Sequence, residues 1–202
     1  MRLIAENLGG ERGGELLFSG LHFAVSSGEA LMVTGPNGSG KSTLLRIIAG
    51  LLVQAGGMLR LEGAPAAFEG IAAAAHYLGH LNAMKPVLSV YENLHFWQSF
   101  NGDGQYSIAE ALEHVGLGEI GHLPFGYLST GQKRRVSIAR LLVSDRPVWL
   151  LDEPTAGLDK ASDARFTGLM RGHLASGGII VAATHLPLGL EGSKELALGA
   201  AA

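Results

Sequence analysis

Short apolar runs alternate along this chain with stretches in which apolar residues recur at helical spacing. Residues 30–34, 148–151 and 179–183 are apolar runs of strand length, which predicts strands buried on both faces. Helical patterns follow the first two runs, over residues 43–49 and around residues 166–174. Because strands connected through helices pair in parallel, we predict an α/β fold with a mainly parallel sheet, whose active groups lie at the carboxyl ends of its strands.

The pattern before the first apolar run is different. Alternating apolar residues predict a β-rich section within residues 1–29, carried by Leu21, Phe23 and Val25. After the first helix, a glycine pair at 56–57 predicts a turn into an antiparallel strand at residues 58–61. We therefore expect an N-terminal antiparallel β section beside the parallel sheet.

Residues 84–146 carry helical signals without a strand between them. Two capping boxes, each a serine followed three residues later by a glutamate, predict helices that begin at Ser89 and Ser107. We expect one domain over the whole chain, with a helical subdomain at 84–146 inserted into an α/β core formed by residues 1–83 and 147–202.

Composition narrows the function classes. The net charge of −3 argues against a general nucleic-acid surface, which needs a basic field. The chain has no cysteine, which excludes disulfides and thiolate metal sites. No apolar run has the length of a membrane span, and the first residues lack the apolar region of a signal peptide, so we expect a cytoplasmic protein. Only 16% of the residues are charged, which suggests that a partner covers part of the surface.

A glycine-rich segment between the first strand and the first helix matches the phosphate-binding pattern G-x-x-x-x-G-K-[ST]. Its glycines let backbone N–H groups turn toward an anion, and the helix N-terminus adds partial positive charge. Lys41 should bridge the β- and γ-phosphates of a nucleoside triphosphate, and Ser42 should bind Mg²⁺. The alternative is a glycine-rich turn with a chance lysine, which the flanking strand and helix disfavour. The predicted nucleotide-binding residues are Gly35, Pro36, Asn37, Gly38, Ser39, Gly40, Lys41, Ser42 and Thr43.

Two acidic residues directly follow the apolar run at 148–151. Asp152 occupies the Walker-B position, where a carboxylate completes the Mg²⁺ shell with Ser42. Glu153 comes next and should accept a proton from the attacking water. The alternative is a solvated turn, which the phosphate-binding loop upstream disfavours.

Three further segments carry a family resemblance. Residues 128–132 read LSTGQ and resemble the signature motif of ABC ATPases, with Thr130 in place of the usual first glycine. Residues 152–159 resemble that family's Walker B and D-loop, and His185 resembles its switch histidine. The resemblance extends from residue 3 to about residue 187.

The resemblance implies a P-loop NTPase fold of the ABC type and an ATPase driven by ATP and Mg²⁺. It implies that Lys41, Glu153 and His185 are catalytic, with His185 positioning the γ-phosphate and water. It also implies a head-to-tail dimer, in which Ser129, Gly131 and Gln132 of one subunit bind the other's nucleotide. ATP would close this dimer and hydrolysis would open it. Two copies of this chain, or this chain and an unlike cassette, both satisfy that arrangement.

A closer resemblance is to the ATP-binding subunits of bacterial haem exporters that serve cytochrome c maturation. It is carried by residues 17–21, 77–80 and 88–94. It implies a peripheral protein on the cytoplasmic face of the inner membrane, without direct contact to the substrate. A CcmB-like integral permease subunit would dock between Met84 and Leu88. The alternatives are the ATPase of another small ABC exporter and a soluble ABC ATPase without a transport role.

Two positions depart from the family pattern. His80 stands where the family has a glutamine that touches Mg²⁺ and water, so we expect it to take over that contact; the alternative is a surface histidine. The aromatic residue that stacks on adenine is missing, and Arg12 lies nearest to its place. We expect the Arg12 guanidinium to stack on the base instead.

Overall fold

A computed structural model describes residues 1–199 and divides the chain into two compact units. Within the described residues, unit 1 contains residues 1–79, 147–154 and 170–199, and unit 2 contains residues 80–146 and 155–169. Within the described residues no helix is both long and apolar enough to cross a membrane.

The secondary-structure elements follow the predicted alternation. The strands are β1 Arg2–Arg12, β2 Glu15–Ser26, β3 Ala30–Thr34, β4 Gly56–Glu62, β5 Ala75–Leu78, β6 Val148–Asp152, β7 Ile179–Ala183 and β8 Lys194–Ala197. The helices are α1 Lys41–Ile48, α2 Ile71–Ala74, α3 Val90–Asn101, α4 Ile108–His114, α5 Thr130–Ala139 and α6 Lys160–Ala175, with a 3₁₀ turn at Phe125–Tyr127.

Unit 1 contains two sheets. An antiparallel sheet has the strand order β2-β1-β4, and a parallel sheet has the order β5-β6-β7-β3-β8. In the parallel sheet Val33 of β3 and Asp152 of β6 both lie opposite Ala183 of β7, so the carboxyl ends of these strands meet at one edge. Both the mainly parallel core and the N-terminal antiparallel section are thereby confirmed.

The hydrophobic core of unit 1 is formed by the parallel sheet, α1 and the antiparallel sheet. Its side chains come from alternate positions of the central strands and from the apolar face of α1, and they include Leu31, Val33, Leu44, Leu45, Leu150 and Val181. Burying each such side chain stabilises the fold by roughly 1.5–3 kcal/mol. This packing fixes the N-terminus of α1 against the strand ends.

Two strands of the parallel sheet were not predicted. β5 has four residues and includes the polar side chains of His76 and Tyr77, so it lacks an apolar run. β8 is an edge strand with mostly exposed side chains and is held through backbone pairing with β3. Neither strand has the hydrophobic pattern on which the prediction depended.

Unit 2 is built from the predicted capped helices. Ser89 and Ser107 each accept a hydrogen bond from the backbone of the glutamate three residues on, and each glutamate accepts one in return, so both capping boxes are confirmed. Unit 2 begins at residue 80 and also includes residues 155–169. The helical subdomain that the sequence predicts at residues 84–146 stays a prediction.

A buried arginine packs inside unit 2. The Arg140 guanidinium lies 4.7 Å from the ring centroid of Trp97. Burial, together with the nearby charge of Arg134, lowers the pKa of Arg140 to about 10. Arg140 therefore keeps its charge at neutral pH, and the aromatic face provides favourable contact for the cation.

A half-buried histidine in unit 1, whose Nε2 atom is buried, couples the free energy of unfolding to pH. His173 stacks on Trp149 with ring centroids 4.1 Å apart. Burial lowers the pKa of His173 to about 4, although hydrogen bonding with the backbone of Ile179 and Pro147 acts in the opposite direction. The folded chain therefore holds this ring neutral, whereas the unfolded chain protonates it below the ordinary pKa of 6.5.

We predict that His173→Gln reduces the acid sensitivity of folding. In the native chain the free energy of unfolding should fall as pH drops from about 6.5 to about 4, by up to ~3 kcal/mol from this residue alone. Urea unfolding at several pH values in this window measures the slope. His122→Gln, at an exposed histidine, is the matched control and should keep the native slope. Equal slopes for all three proteins would contradict the prediction.

Candidate active site

The glycine-rich loop leads from β3 into α1 and prepares an anion site. Gly40 is the N-cap of α1 with a φ of 97°, and it contributes no side-chain cap. The first turn of α1 contains no acidic residue. The first amide N–H groups of a helix have no partners within it, so this end of α1 favours an anion.

Gly35 allows the chain to pass close to the last described strand. Its φ is 135°, and a Cβ placed on it would lie 2.2 Å from the Leu198 carbonyl oxygen. A side chain at Gly35 would therefore meet backbone atoms that cannot rotate away. Gly38 also has a positive φ, of 86°, but a Cβ there would meet nothing within 4 Å.

Lys41 and Ser39 place polar groups inside the loop. Lys41 is largely buried as a residue, and its ammonium group donates hydrogen bonds to the carbonyl oxygens of Gly35 at 2.7 Å and Pro36 at 3.0 Å. The Ser39 hydroxyl is buried without a hydrogen-bond partner, which is costly unless a ligand satisfies it. Both features fit a loop that binds a polyanion.

Ser42 and Asp152 are joined directly. The Ser42 hydroxyl donates a hydrogen bond to Asp152 Oδ1 at 3.0 Å. Asp152 is buried, with only 2% of its surface exposed. Among residues 1–199 no cluster of three or more His, Cys, Asp or Glu is arranged to hold a metal. A pair of oxygen donors nevertheless fits Mg²⁺, which usually takes one or two protein ligands together with phosphate oxygens and water.

The second oxygen of Asp152 contacts Tyr77, which in turn contacts Arg46, and neither of these two residues was predicted to belong to the site. The Tyr77 hydroxyl donates to Asp152 Oδ2 at 3.2 Å and accepts from Arg46 Nε at 3.3 Å. Burial raises the pKa of Tyr77, and its hydrogen bond raises the pKa of Arg46, so both remain protonated donors at neutral pH. The sequence offered a signal only for Arg46, which is a charged residue among the apolar positions in the second half of α1. It offered none for Tyr77, because β5 was not predicted.

Glu153 and His185 lie beside this pair. His185 Nε2 is 3.8 Å from a Glu153 carboxylate oxygen and 3.2 Å from Asn37 Oδ1. Glu153 has a φ of 44°, and its N–H donates to the Ala183 carbonyl at 2.8 Å. Such a conformation costs about 1–3 kcal/mol in a non-glycine residue and is typical of functional positions. Sequence-predicted residues from three separate segments are thus brought together.

The predicted signature residues lie in unit 2. Ser129 is the N-cap of α5; its hydroxyl accepts from the Gln132 N–H at 3.2 Å, and its own N–H donates to Gln132 Oε1 at 2.9 Å. Thr130 and Gly131 form the first turn of this helix. The motif therefore presents a well-capped helix N-terminus.

The two positions that depart from the family pattern are both exposed. Arg12 is the last residue of β1 and pairs with Glu15 of β2. His80 is the first residue of unit 2. Their expected roles stay predictions.

Comparison with known proteins identifies the family. The profile of the ABC transporter family matches residues 18–156, which is more than half of the chain. The chain belongs to the ABC transporter family. It is an ABC-type ATPase, as the sequence motifs predicted, and ATP is its nucleotide.

Similar proteins with known names and structures indicate which ABC ATPases this chain resembles. The chain is 71% identical to the cytochrome c biogenesis ATP-binding export protein CcmA of Mesorhizobium japonicum, with 100% of both chains covered. It is 68% identical to the protein of the same name from Chelativorans sp., covering 99% of each. Among solved structures, the dimeric structure of MJ0796, a bacterial ABC transporter cassette, has a TM-score of 0.82 at 25% identity, covering 97% of this chain and 94% of that one.

We predict that Gly35→Ala destabilises the chain more than Gly38→Ala. Both substitutions impose a positive φ on a residue with a Cβ, at about 1–2 kcal/mol. Only the first also forces a Cβ against a carbonyl oxygen, which adds about 1–3 kcal/mol. Urea unfolding of the two variants and the native chain measures the difference. Equal losses would show that the contact with Leu198 does not constrain this loop.

Proposed function

We propose that the chain is the ATP-hydrolysing subunit of an ABC membrane complex that serves cytochrome c biogenesis as a haem exporter. The observation that carries this proposal is the Ser42–Asp152 pair at the start of α1, with Glu153 and His185 alongside. Full-length relatives named CcmA supply the biological setting.

The loop residues 35–43 bind the phosphates of ATP. The amide groups at the start of α1 face them, and Lys41 exchanges its bonds to two loop carbonyls for bonds to phosphate oxygens. The Ser39 hydroxyl gains a partner in the same step. Arg12 stacks on the adenine, as the sequence predicted.

Ser42 and Asp152 hold Mg²⁺ through the two oxygens that contact each other in this structure. When bound, Mg²⁺ neutralises negative charge on the phosphate oxygens. His80 is proposed to contribute a further contact, directly or through water. The buried position of Asp152 keeps its carboxylate away from bulk solvent.

Glu153 and His185 act on the attacking water. Glu153 accepts a proton as the water oxygen bonds to the γ-phosphorus, and the bond from that phosphorus to the bridging oxygen of ADP breaks. Phosphate and ADP are the products. His185, held by Asn37 and close to Glu153, orients the γ-phosphate and the water.

A second ATPase subunit completes each site. The capped N-terminus of α5 carries Ser129, Gly131 and Gln132, which we propose bind the γ-phosphate held by the partner subunit. ATP binding then closes a head-to-tail dimer, and hydrolysis reopens it. The solved MJ0796 cassette, which is described as dimeric, supports this arrangement.

The loop between Met84 and Leu88 is proposed to receive a CcmB-like permease subunit at the cytoplasmic face of the inner membrane. The buried side chain of Asn93 holds this loop: it accepts from the Lys85 N–H at 2.7 Å and donates to the Lys85 and Leu88 carbonyls. Val87 on the loop is 84% exposed and the nearby Leu81 is 87% exposed. A fixed loop with exposed apolar tips is suited to docking a helix.

We predict that Glu153→Gln binds ATP but loses turnover by about 10²–10⁴-fold, because the amide cannot accept the proton. Steady-state phosphate release and ATP binding measure the two effects. Glu119→Gln, at an exposed glutamate of unit 2, is the control and should leave both unchanged.

The same variant should accumulate as an ATP-bound dimer in size-exclusion chromatography. Turnover within a few-fold of the native rate would remove Glu153 from its proposed role. A monomer at saturating ATP would argue against the shared site while leaving that role intact.

We predict that Leu81→Asp combined with Val87→Asp releases the chain from the membrane fraction and abolishes c-type cytochrome assembly. The protein should still fold and bind ATP, because both side chains are exposed. Leu16→Asp, at an exposed leucine of β2, is the control and should stay membrane-bound. A double variant that remains bound and supports cytochrome assembly would exclude this loop as the dock.

A further inference from the structure

We propose that Tyr77 is a positioning residue for ATP hydrolysis, which holds the Asp152 carboxylate in the orientation that presents one oxygen to Ser42. This inference rests on the proposed function of Ser42 and Asp152 at the Mg²⁺ site. The residues that carry it, including Arg46 and Gly79, all belong to unit 1.

The hydrogen bonds from Arg46 through Tyr77 to Asp152 run in one direction. Arg46 Nε donates to the Tyr77 oxygen at 3.3 Å, and the hydroxyl is therefore directed onward to Asp152 Oδ2 at 3.2 Å. The cationic donor polarises the hydroxyl and strengthens its bond to the anionic acceptor. The hydroxyl proton of Tyr77 is therefore donated to Asp152 Oδ2.

The two carboxylate oxygens of Asp152 have different partners. Ser42 contacts Oδ1 and Tyr77 contacts Oδ2. A carboxylate turns readily about its last side-chain bond, since that torsion has broad wells. Donors on both oxygens restrict this rotation, so Oδ1 stays directed at Ser42. Loss of the tyrosine hydroxyl removes the hydrogen bond that restrains Oδ2.

The backbone at Gly79 also lies against the ring of Tyr77. A Cβ placed on Gly79 would lie 2.8 Å from Tyr77 Cε1 and 2.9 Å from its hydroxyl oxygen. Only glycine lets the chain pass this close to the hydroxyl edge of the ring. Residue 79 is also the point at which the chain leaves unit 1. A shift of the backbone there would move the ring and, through it, the hydrogen bond to Asp152.

Tyr77→Phe tests the proposal because it keeps the ring and removes the hydroxyl. We expect Mn²⁺, used as a spectroscopic probe for Mg²⁺, to bind about fivefold more weakly to the complex with a non-hydrolysable ATP analogue, as for loss of one hydrogen bond. Electron paramagnetic resonance titration measures this affinity. Binding of the analogue in the presence of EDTA should not change.

A kinetic readout separates positioning from general damage. The Mg²⁺ concentration for half-maximal ATPase activity should rise by a similar factor in Tyr77→Phe, while kcat at saturating Mg²⁺ should stay within about twofold. Gly79→Ala should shift Mn²⁺ affinity in the same direction, because its Cβ displaces the hydroxyl. Tyr127→Phe, at an exposed tyrosine, is the control and should match the native protein.

Asp152→Asn distinguishes failure of this inference from failure of the proposed function. If Asp152→Asn loses Mn²⁺ while Tyr77→Phe and Gly79→Ala bind it like the native protein, Tyr77 has no positioning role and the site assignment stands. If Asp152→Asn also binds Mn²⁺ normally, the proposed metal site is wrong, and the role of Tyr77 falls with it.

Discussion

A hydrogen bond of 3.0 Å between Ser42 and Asp152 connects the first residues of α1 to the end of β6. It exists because α1 packs against the central strands of the parallel sheet through buried apolar side chains. A carboxylate that is 2% exposed needs donors on its oxygens, and the neighbouring elements supply them. Shifting α1 along the sheet would leave this buried charge without its serine. The position of the phosphate-binding loop relative to the acidic residues therefore depends on this packing.

The groups beside this pair show how the sheet arranges the rest of the site. Because β3, β6 and β7 end in register, Glu153 and His185 leave neighbouring strand ends and reach each other. The N–H of Glu153 is bonded to Ala183, which holds the left-handed backbone of that residue in place. Unit 2 contributes the capped α5 terminus, the part that we propose acts on a partner subunit.

Apolar continuity and capping chemistry made much of this fold predictable. The runs at 30–34, 148–151 and 179–183 became β3, β6 and β7, and the capping boxes at Ser89 and Ser107 begin α3 and α4. β5 and β8 were missed because backbone pairing rather than an apolar pattern holds them.

The candidate site was predictable only in part, because some of its contacts, like the missed strands, depend on tertiary structure and leave no pattern in the sequence. The loop residues and Asp152 have fixed spacings along the chain. Strand order and helix packing bring Tyr77 to Asp152 and Arg46 to Tyr77, and the positions of these residues in the sequence indicate neither contact.

The most direct test is a crystal structure of the Glu153→Gln chain with ATP and Mg²⁺. We expect the metal to contact Ser42 Oγ and one Asp152 oxygen, with the Tyr77 hydroxyl on the other oxygen. A metal bound away from both residues, or phosphates bound away from Lys41, would contradict the account.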